Sequence, residues 1–385
     1  MRSLLKTTQI REWKQVSWLT ILFLLYTIHT TLLINLFLGH VKGLENINAI
    51  IPNYHLFVEL LTAVLSALIS GIFFSSLEVF YFSKKFKQLS YGRSIIFKFL
   101  IYGVFAFGLT ISFTIFYHCL LLGKNPLDFE VIEKSKNYLA SSGIFYTLIM
   151  IIIPVLIMIF LVQINEKMGQ GILWQLITGE YRVPKEQTRI FMFLDIKSST
   201  SIAERIGHAH FYNLLNRFFA DITYPIVKNK GEIYQYVGDE VVISWTMNNG
   251  TDNSNCIQCF FDICKTIQDY ASHYEEQFGV VPEFKAGMHY GKVMTGEIGI
   301  IKKEITHSGE VLNIAARIQE LCNSLGSKFI ISRSLLDTLP LNNEYELKDL
   351  GTFELRGRTK KVDLISVAQK GKVNTLIPSS VLTSK

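Results

Sequence analysis

Long runs with almost no charge fill the first 164 residues of the chain, and ordinary mixed sequence follows. A helix needs roughly 20 apolar residues to span a hydrocarbon core. Four stretches reach that length: Gln15 to Leu38, Leu56 to Phe80, Ile95 to Leu122 and Tyr138 to Ile164. The first is too long for a signal peptide, lacks a small-residue cleavage site and is followed by three more. The pattern predicts a four-helix transmembrane domain over residues 1–164, acting as anchor or sensor. From Asn165 the last helix is expected to continue as a linker through residue 188. Ile172, Leu173, Leu176 and Ile177 form its stripe, and Gly179 with Pro184 ends it. That stripe either pairs with its twin in a dimer or belongs to a plain connector.

The second half alternates between periods of two and 3.6. Arg189 to Ile196 is an apolar strand that ends in a carboxylate, and a helical pattern follows from Ser198 to Val227. Glu232 to Val237 and Glu240 to Trp245 read as two strands joined tightly through Gly238 and Asp239. A second helix is predicted from Ser254 to Gln277 and a strand from Glu283 to Tyr290. The order β-α-β-β-α-β is that of an α+β ferredoxin-like domain, here over residues 189–370. Residues 371–385, rich in Ser and Thr, read as a flexible tail.

Charge gives the chain an orientation. Arg2, Lys6, Arg11 and Lys14 precede the first span, and Lys84, Lys85, Lys87 and Arg93 fill the second connection. The other two connections mix Lys42 with Glu45, and Lys124 with Asp128, Glu130 and Glu133. Excess Lys and Arg marks the cytoplasmic side, so the N-terminus is expected there. Four spans then return the second half to the cytoplasm. Glu59, Glu78 and Lys98 lie near span ends, where snorkelling is the ordinary expectation. His29 sits near mid-span, as a ligand or proton sensor or hydrogen-bonded to Thr27, Thr30 or a carbonyl. His40, His55 and His118 suggest no ligand set.

The net charge of +6 is not gathered into a basic stripe with exposed aromatics, which argues against nucleic acid as a partner. The five cysteines form no disulfide framework, and Cys256 with Cys259 lacks the second pair a zinc site needs. They read as buried free thiols.

In the ferredoxin-like order the first strand lies beside the hairpin, so Asp195 and Asp239 are expected to converge. Two adjacent carboxylates repel unless a cation lies between them, and hard oxygen ligands of this kind suit Mg²⁺ or Mn²⁺ bound with a nucleoside triphosphate.

The segments Phe193-Leu-Asp195-Ile196, Tyr236-Val-Gly238-Asp239-Glu240, Ala286 to Gly299, Gly309 to Arg317 and Leu355-Arg356-Gly357 resemble class III adenylate/guanylate cyclases, in the family's order, over Arg189 to Ala368. The resemblance implies conversion of ATP to 3′,5′-cyclic AMP and pyrophosphate by a two-metal mechanism. It implies two Mg²⁺ or Mn²⁺ ions per site, held by Asp195, Asp239 and the carbonyl of Ile196. It further implies phosphate binding by Ser198, Ser199 and Thr200 at a helix start, although the family often has Gly at the first of these. Asn313 and Arg317 would position the ribose and stabilise the transferring phosphorus. Arg356 stands where the family commonly has a phosphate-binding Lys. Because the Asp pair and the Asn/Arg pair act across a subunit interface in this family, a head-to-tail homodimer is implied. A single catalytic domain behind a compact anchor resembles bacterial arrangements, which places the chain in a bacterial inner membrane.

Base choice departs from the family pattern. Adenylate cyclases commonly have Lys four residues before the second metal Asp, and Asp or Thr seven before the Asn; here these are Gln235 and Thr306. Thr306 fits ATP, its oxygen accepting from the adenine amino group. The Gln235 amide can donate to adenine N1 or, flipped, accept from guanine N1–H, so guanylate or mixed specificity remains the alternative. A catalytically silent nucleotide-binding signalling module is the alternative of another class. A diguanylate-cyclase reading of Val237-Gly-Asp-Glu-Val lacks the paired glycines, and a transporter reading lacks central charges.

Overall fold

The computed structural model describes residues 2–42, 56–82, 85, 91–141, 143–168, 178–301, 303–341, 344–354 and 361–370. The chain divides into two compact units, Met1–Trp174 and Gln175–Lys385. The stripe from Ile172 to Ile177, Arg356 and the tail from residue 371 lie outside the described residues.

In the first unit α1 spans Arg2–Lys42 and α2 Leu56–Ser76, continuing into a π-helical turn at Leu77–Phe82. Helices α3 (Tyr91–Leu122), α4 (Phe129–Leu139) and α5 (Gly143–Met168) follow. Four segments are long and apolar enough to cross a membrane: Glu12–Leu33, Phe57–Phe82, Ile96–Leu122 and Thr147–Ile164. Their inner faces bury Phe23, Phe74, Tyr102 and Val155, while Leu25, Val104, Ile149 and Phe160 stay exposed. Apolar side chains on both the inside and the perimeter are what an apolar solvent around the bundle accommodates.

Four expectations are corrected here. Tyr138 does not open the last span but ends α4, an extra amphipathic helix capped where the Asp128 carboxylate accepts from the Glu130 N–H (2.9 Å). Glu78 and Lys98 do not snorkel: both are buried, the Lys98 ammonium and the Tyr102 hydroxyl donating to the Glu78 carboxylate. Glu78 lies on the π-helical turn, whose added residue shifts the helix phase and so the face presented to the core. His29 is exposed, and Thr27 and Thr30 donate instead to the carbonyls of Phe23 and Tyr26, both at 3.0 Å. Glu59 is partly buried, its Oε2 fully so.

The second unit carries β1 (Lys185–Ile196), α6 (Ser199–Ile206), α7 (His208–Lys228), β2 (Glu232–Val237) and β3 (Glu240–Thr246). Then come α8 (Met247–Thr251), α9 (Asn255–Asp269), α10 (Ala271–Phe278), β4 (Phe284–Ile298) and β5 (Glu304–Ser308). Helix α11 (Glu310–Ser324), β6 (Phe329–Ser332), α12 (Arg333–Leu336), β7 (Tyr345–Phe353) and β8 (Val362–Gln369) complete it. The predicted first helix is two, broken at Gly207, whose φ of 84° a helix cannot hold. The strand expected to end at Tyr290 runs on to Ile298.

The sheet order is β2-β3-β1-β4-β6-β8-β7, with β5 paired to β4. Strand β1 is central and apolar on both faces. Ile190, Met192 and Leu194 pack with Phe218, Phe260 and Ile263 on one side. Phe191 and Phe193 pack with Val311 and Ala315 of α11 on the other. Helix α11 crosses β4 at Gly287, where a Cβ would stand 2.2 Å from the Gln319 backbone nitrogen and 2.6 Å from the Ala315 carbonyl oxygen. Backbone atoms cannot rotate aside, so Gly287→Ala should displace α11. Overpacking of this kind costs about 1–3 kcal/mol. A lowered melting temperature is the expected outcome, and an unchanged one refutes the close crossing.

Candidate active site

Strands β1 and β3 are antiparallel with Asp195 opposite Glu240, and β2 pairs Val237 with that same Glu240. The hairpin between them turns on Gly238 (φ 63°) and Asp239 alone. Register and turn together put Asp239 one residue from the partner of Asp195, within hydrogen-bonding reach of its carboxylate. Ile196 follows on the same strand end, its side chain buried.

This corner is acidic and half-buried. Burial, then the Asp239 charge, raises the pKa of Asp195; Lys285 and Gln319 act in the opposite direction. Gln319 of α11 donates to Asp195 Oδ2 at 2.9 Å, and the Lys285 ammonium stands 3.5 Å from the same oxygen. Glu240 is pushed up to about 7 by burial and by its two Asp neighbours. Crowded carboxylates whose ionised forms are disfavoured fit a cation, which would remove both desolvation and repulsion. Sequence reasoning missed Glu240, Lys285 and Gln319 as neighbours of the pair. A buried lysine in the apolar strand β4, directly opposite Asp195, was the available signal.

Ser198 caps α6 in the left-handed region (φ 57°, ψ 33°), with Ser199 and Thr200 in its first turn. That backbone explains physically why a glycine suits the position: a Cβ there is disfavoured. Ser198 and Thr200 are exposed.

Thr306 sits on β5 opposite Gly296 of β4. Tyr234 of β2 holds this strand: its hydroxyl accepts from the His307 N–H at 3.1 Å, and the two rings lie 4.8 Å apart. A β-bulge between Ile233 and Gln235 shifts the register so that Gln235 pairs with Val242. Paired residues share a face, so the bulge turns exposed Gln235 to the α11 side, along with Tyr234. The bulge thereby brings Gln235 to the face of Tyr234, while Thr306 alternates with His307 along β5.

On α11, Asn313 is exposed and Arg317 half-buried. At about 100° per residue the two share a face, while Gln319 projects roughly 120–160° away from them. Since Gln319 touches Asp195, the Asn313/Arg317 face is turned from the acidic corner of its own chain. Among the described residues, Arg317 Nη1 and Thr306 Oγ1 are buried without a hydrogen-bond partner. An unpaired buried donor or acceptor costs about 1–3 kcal/mol, so both atoms are prepared for a polar partner.

Residues 182–369 match the model of the adenylate and guanylate cyclase catalytic domain. Adenylate cyclase 2 of Rhizobium meliloti is 35% identical over 209 residues, 54% of this chain and 58% of the relative. Adenylate cyclase 1 of the same organism is 22% identical over 181 residues, 46% of this chain and 27% of the relative. The chain thus spans little more than half, or less, of the curated relatives' lengths. Among solved structures, a bacterial light-regulated adenylyl cyclase aligns at 24% identity, covering 49% of this chain and 94% of that one, with a TM-score of 0.43. The adenylyl cyclase CyaB from P. aeruginosa aligns at 18% identity, covering 48% and 96%, with a TM-score of 0.43.

Proposed function

We propose that this protein, whose residues 182–369 form a catalytic domain of the adenylate and guanylate cyclase family, converts ATP to 3′,5′-cyclic AMP and pyrophosphate. The observation that carries this is the acidic corner, with Asp195 and Asp239 held together by the strand register and a two-residue turn. Bound there through Asp195, Asp239 and the Ile196 carbonyl, Mg²⁺ or Mn²⁺ would supply activation of the ribose 3′-hydroxyl and neutralisation of phosphate charge. Asp195 and Asp239 provide anionic oxygens, and Gln319 and Lys285 orient Asp195. The N–H groups at the start of α6, with Ser198, Ser199 and Thr200, bind phosphate oxygens. Arg317 donates toward the phosphorus undergoing attack, Asn313 positions the ribose, and Arg356 binds phosphate.

The face relation on α11 supports a site completed by a second copy, one chain giving the Asp pair and the other Asn313, Arg317, Gln235 and Thr306. The four apolar helices support a membrane anchor, and the Lys/Arg distribution supports a cytoplasmic N-terminus and catalytic domain. Holding two chains in one bilayer raises their effective concentration.

ATP is preferred to GTP in this proposal because the unpartnered Thr306 hydroxyl can accept from the adenine amino group. Full-length protein in detergent, offered ATP and GTP separately with Mn²⁺ or Mg²⁺, is expected to yield cyclic AMP as main product. Cyclic GMP alone would reverse the substrate assignment. Silence with both nucleotides would favour a nucleotide-binding signalling module. Gln235→Lys should raise the ATP/GTP ratio of kcat/KM about tenfold, equivalent to ~1.4 kcal/mol. An unchanged ratio removes Gln235 from base reading.

A further inference from the structure

The first unit has an open-sided cavity of about 300 Å³ among Thr27 to Thr31 of α1, the start of α2, the second half of α3, Tyr138 of α4 and the start of α5. A single water occupies about 30 Å³ of liquid, so the space suits a small molecule rather than one ion. It belongs to neither the catalytic unit nor its chemistry.

Several of the hydroxyls inside it have already committed their protons. Thr27, Thr30, Thr62, Ser66 and Thr110 all line the cavity. Each donates its hydroxyl proton to a carbonyl of its own helix, at 2.8–3.0 Å. A hydroxyl has one proton and two lone pairs, so these five present lone pairs to a guest. His118 places Nδ1 2.9 Å from the Thr114 carbonyl oxygen. The same nitrogen lies 3.0 Å from the Ser135 hydroxyl, so His118 is held by α3 and α4 together. Glu59 also lines the cavity, and its buried Oε2 has no hydrogen-bond partner among the described residues. A buried carboxylate oxygen left without a donor is costly. Tyr117 and Phe113 add aromatic rings to the wall, and the Tyr138 and Thr147 hydroxyls on it share a hydrogen bond at 2.6 Å; Tyr117 is near enough to Glu59 and Tyr138 to interact electrostatically.

We propose that this cavity is a binding site for a small organic ammonium ion, with Glu59 as counter-ion, the threonine and serine hydroxyls as acceptors and the aromatic wall as a cation–π surface. An anion would meet the Glu59 carboxylate and the lone pairs of five hydroxyls. A neutral apolar guest would leave Glu59 Oε2 unpaired, whereas an ammonium group satisfies both the charge and those lone pairs. On the orientation proposed above, every contributing segment lies in the outer half of its span.

The test uses purified full-length protein in detergent at fixed ionic strength, without nucleotide, so its result is independent of the cyclase proposal. The probes are n-butylammonium and choline, with 1-butanol and butyrate as controls, read by calorimetry and by thermal shift. Saturable binding of at least one ammonium probe is expected, with 1-butanol at least tenfold weaker and butyrate not bound. Glu59→Gln, which preserves shape, should weaken ammonium binding tenfold or more. Equal binding of 1-butanol and butylammonium would make the cavity an apolar void and overturn the proposal. So would undiminished binding in Glu59→Gln, or no saturable ammonium binding by cooperatively melting protein. Should Glu59→Gln fail to fold, the ammonium-against-alcohol comparison on the unaltered chain decides.

Discussion

Asp195→Asn protein is expected to melt no lower than the unaltered chain and to turn nucleotide over about a thousandfold more slowly or worse. Two consequences of one environment meet here. Burial and Asp239 both disfavour the ionised carboxylate of Asp195, so removing its charge relieves repulsion in the folded state. Lys285, buried in the same corner, keeps Glu240 as a nearby carboxylate, and the Asn oxygen still accepts from Gln319. Stability is therefore unchanged or slightly raised. The loss of turnover follows because a carboxylate that holds a catalytic cation supplies several kcal/mol of transition-state stabilisation, and each ~1.4 kcal/mol is tenfold in rate. A structural role for Asp195 predicts the opposite pairing, lowered melting with activity falling in proportion. Turnover within tenfold of the unaltered chain would remove the cation-holding role.

Arg317→Ala is expected to cost a similar factor, since an arginine that stabilises phosphoryl-transfer charge is worth 10³–10⁵ elsewhere. Its melting temperature should hold, because Arg317 Nη1 has no protein partner to lose. The informative experiment mixes this variant with Asp195→Asn protein, each inactive by itself. If each site joins the Asp pair of one chain to Arg317 of the other, a mixed dimer has one site with both lesions and one with neither. Random pairing makes half the dimers mixed, and half of their sites are intact, so activity should recover to about a quarter of the unaltered level. A site built within one chain gives no recovery. This outcome rests on the geometry of α11, where the face bearing Asn313 and Arg317 is turned from the side on which Gln319 meets Asp195.

Hydrophobic period alone located the four long apolar helices, the β-α-β-β-α-β order and the strand carrying Asp195, because burial on a helix or strand imprints a period on the sequence. Motif order located the segment that matches the adenylate and guanylate cyclase catalytic-domain model. Convergence of Asp195 with Asp239 was legible too, since a two-residue turn after a strand paired with β1 leaves little freedom. Other features depend on phase and on neighbours distant in sequence. The bulge at Tyr234 that turns Gln235, the left-handed Ser198 and the π-helical turn that carries Glu78 inward each shift a register by one residue or one dihedral. Periodicity is blind to such shifts. Lys285 and Gln319 reach Asp195 across 90 and 124 positions of sequence, and only the packing of β4 and α11 against β1 brings them there. Glu59 shows the difference most clearly: its place near a span end predicted snorkelling, whereas the packed helices bury its unpaired oxygen at a hydroxyl-lined cavity. A sequence fixes which groups a helix carries, and packing alone decides which of them face one another.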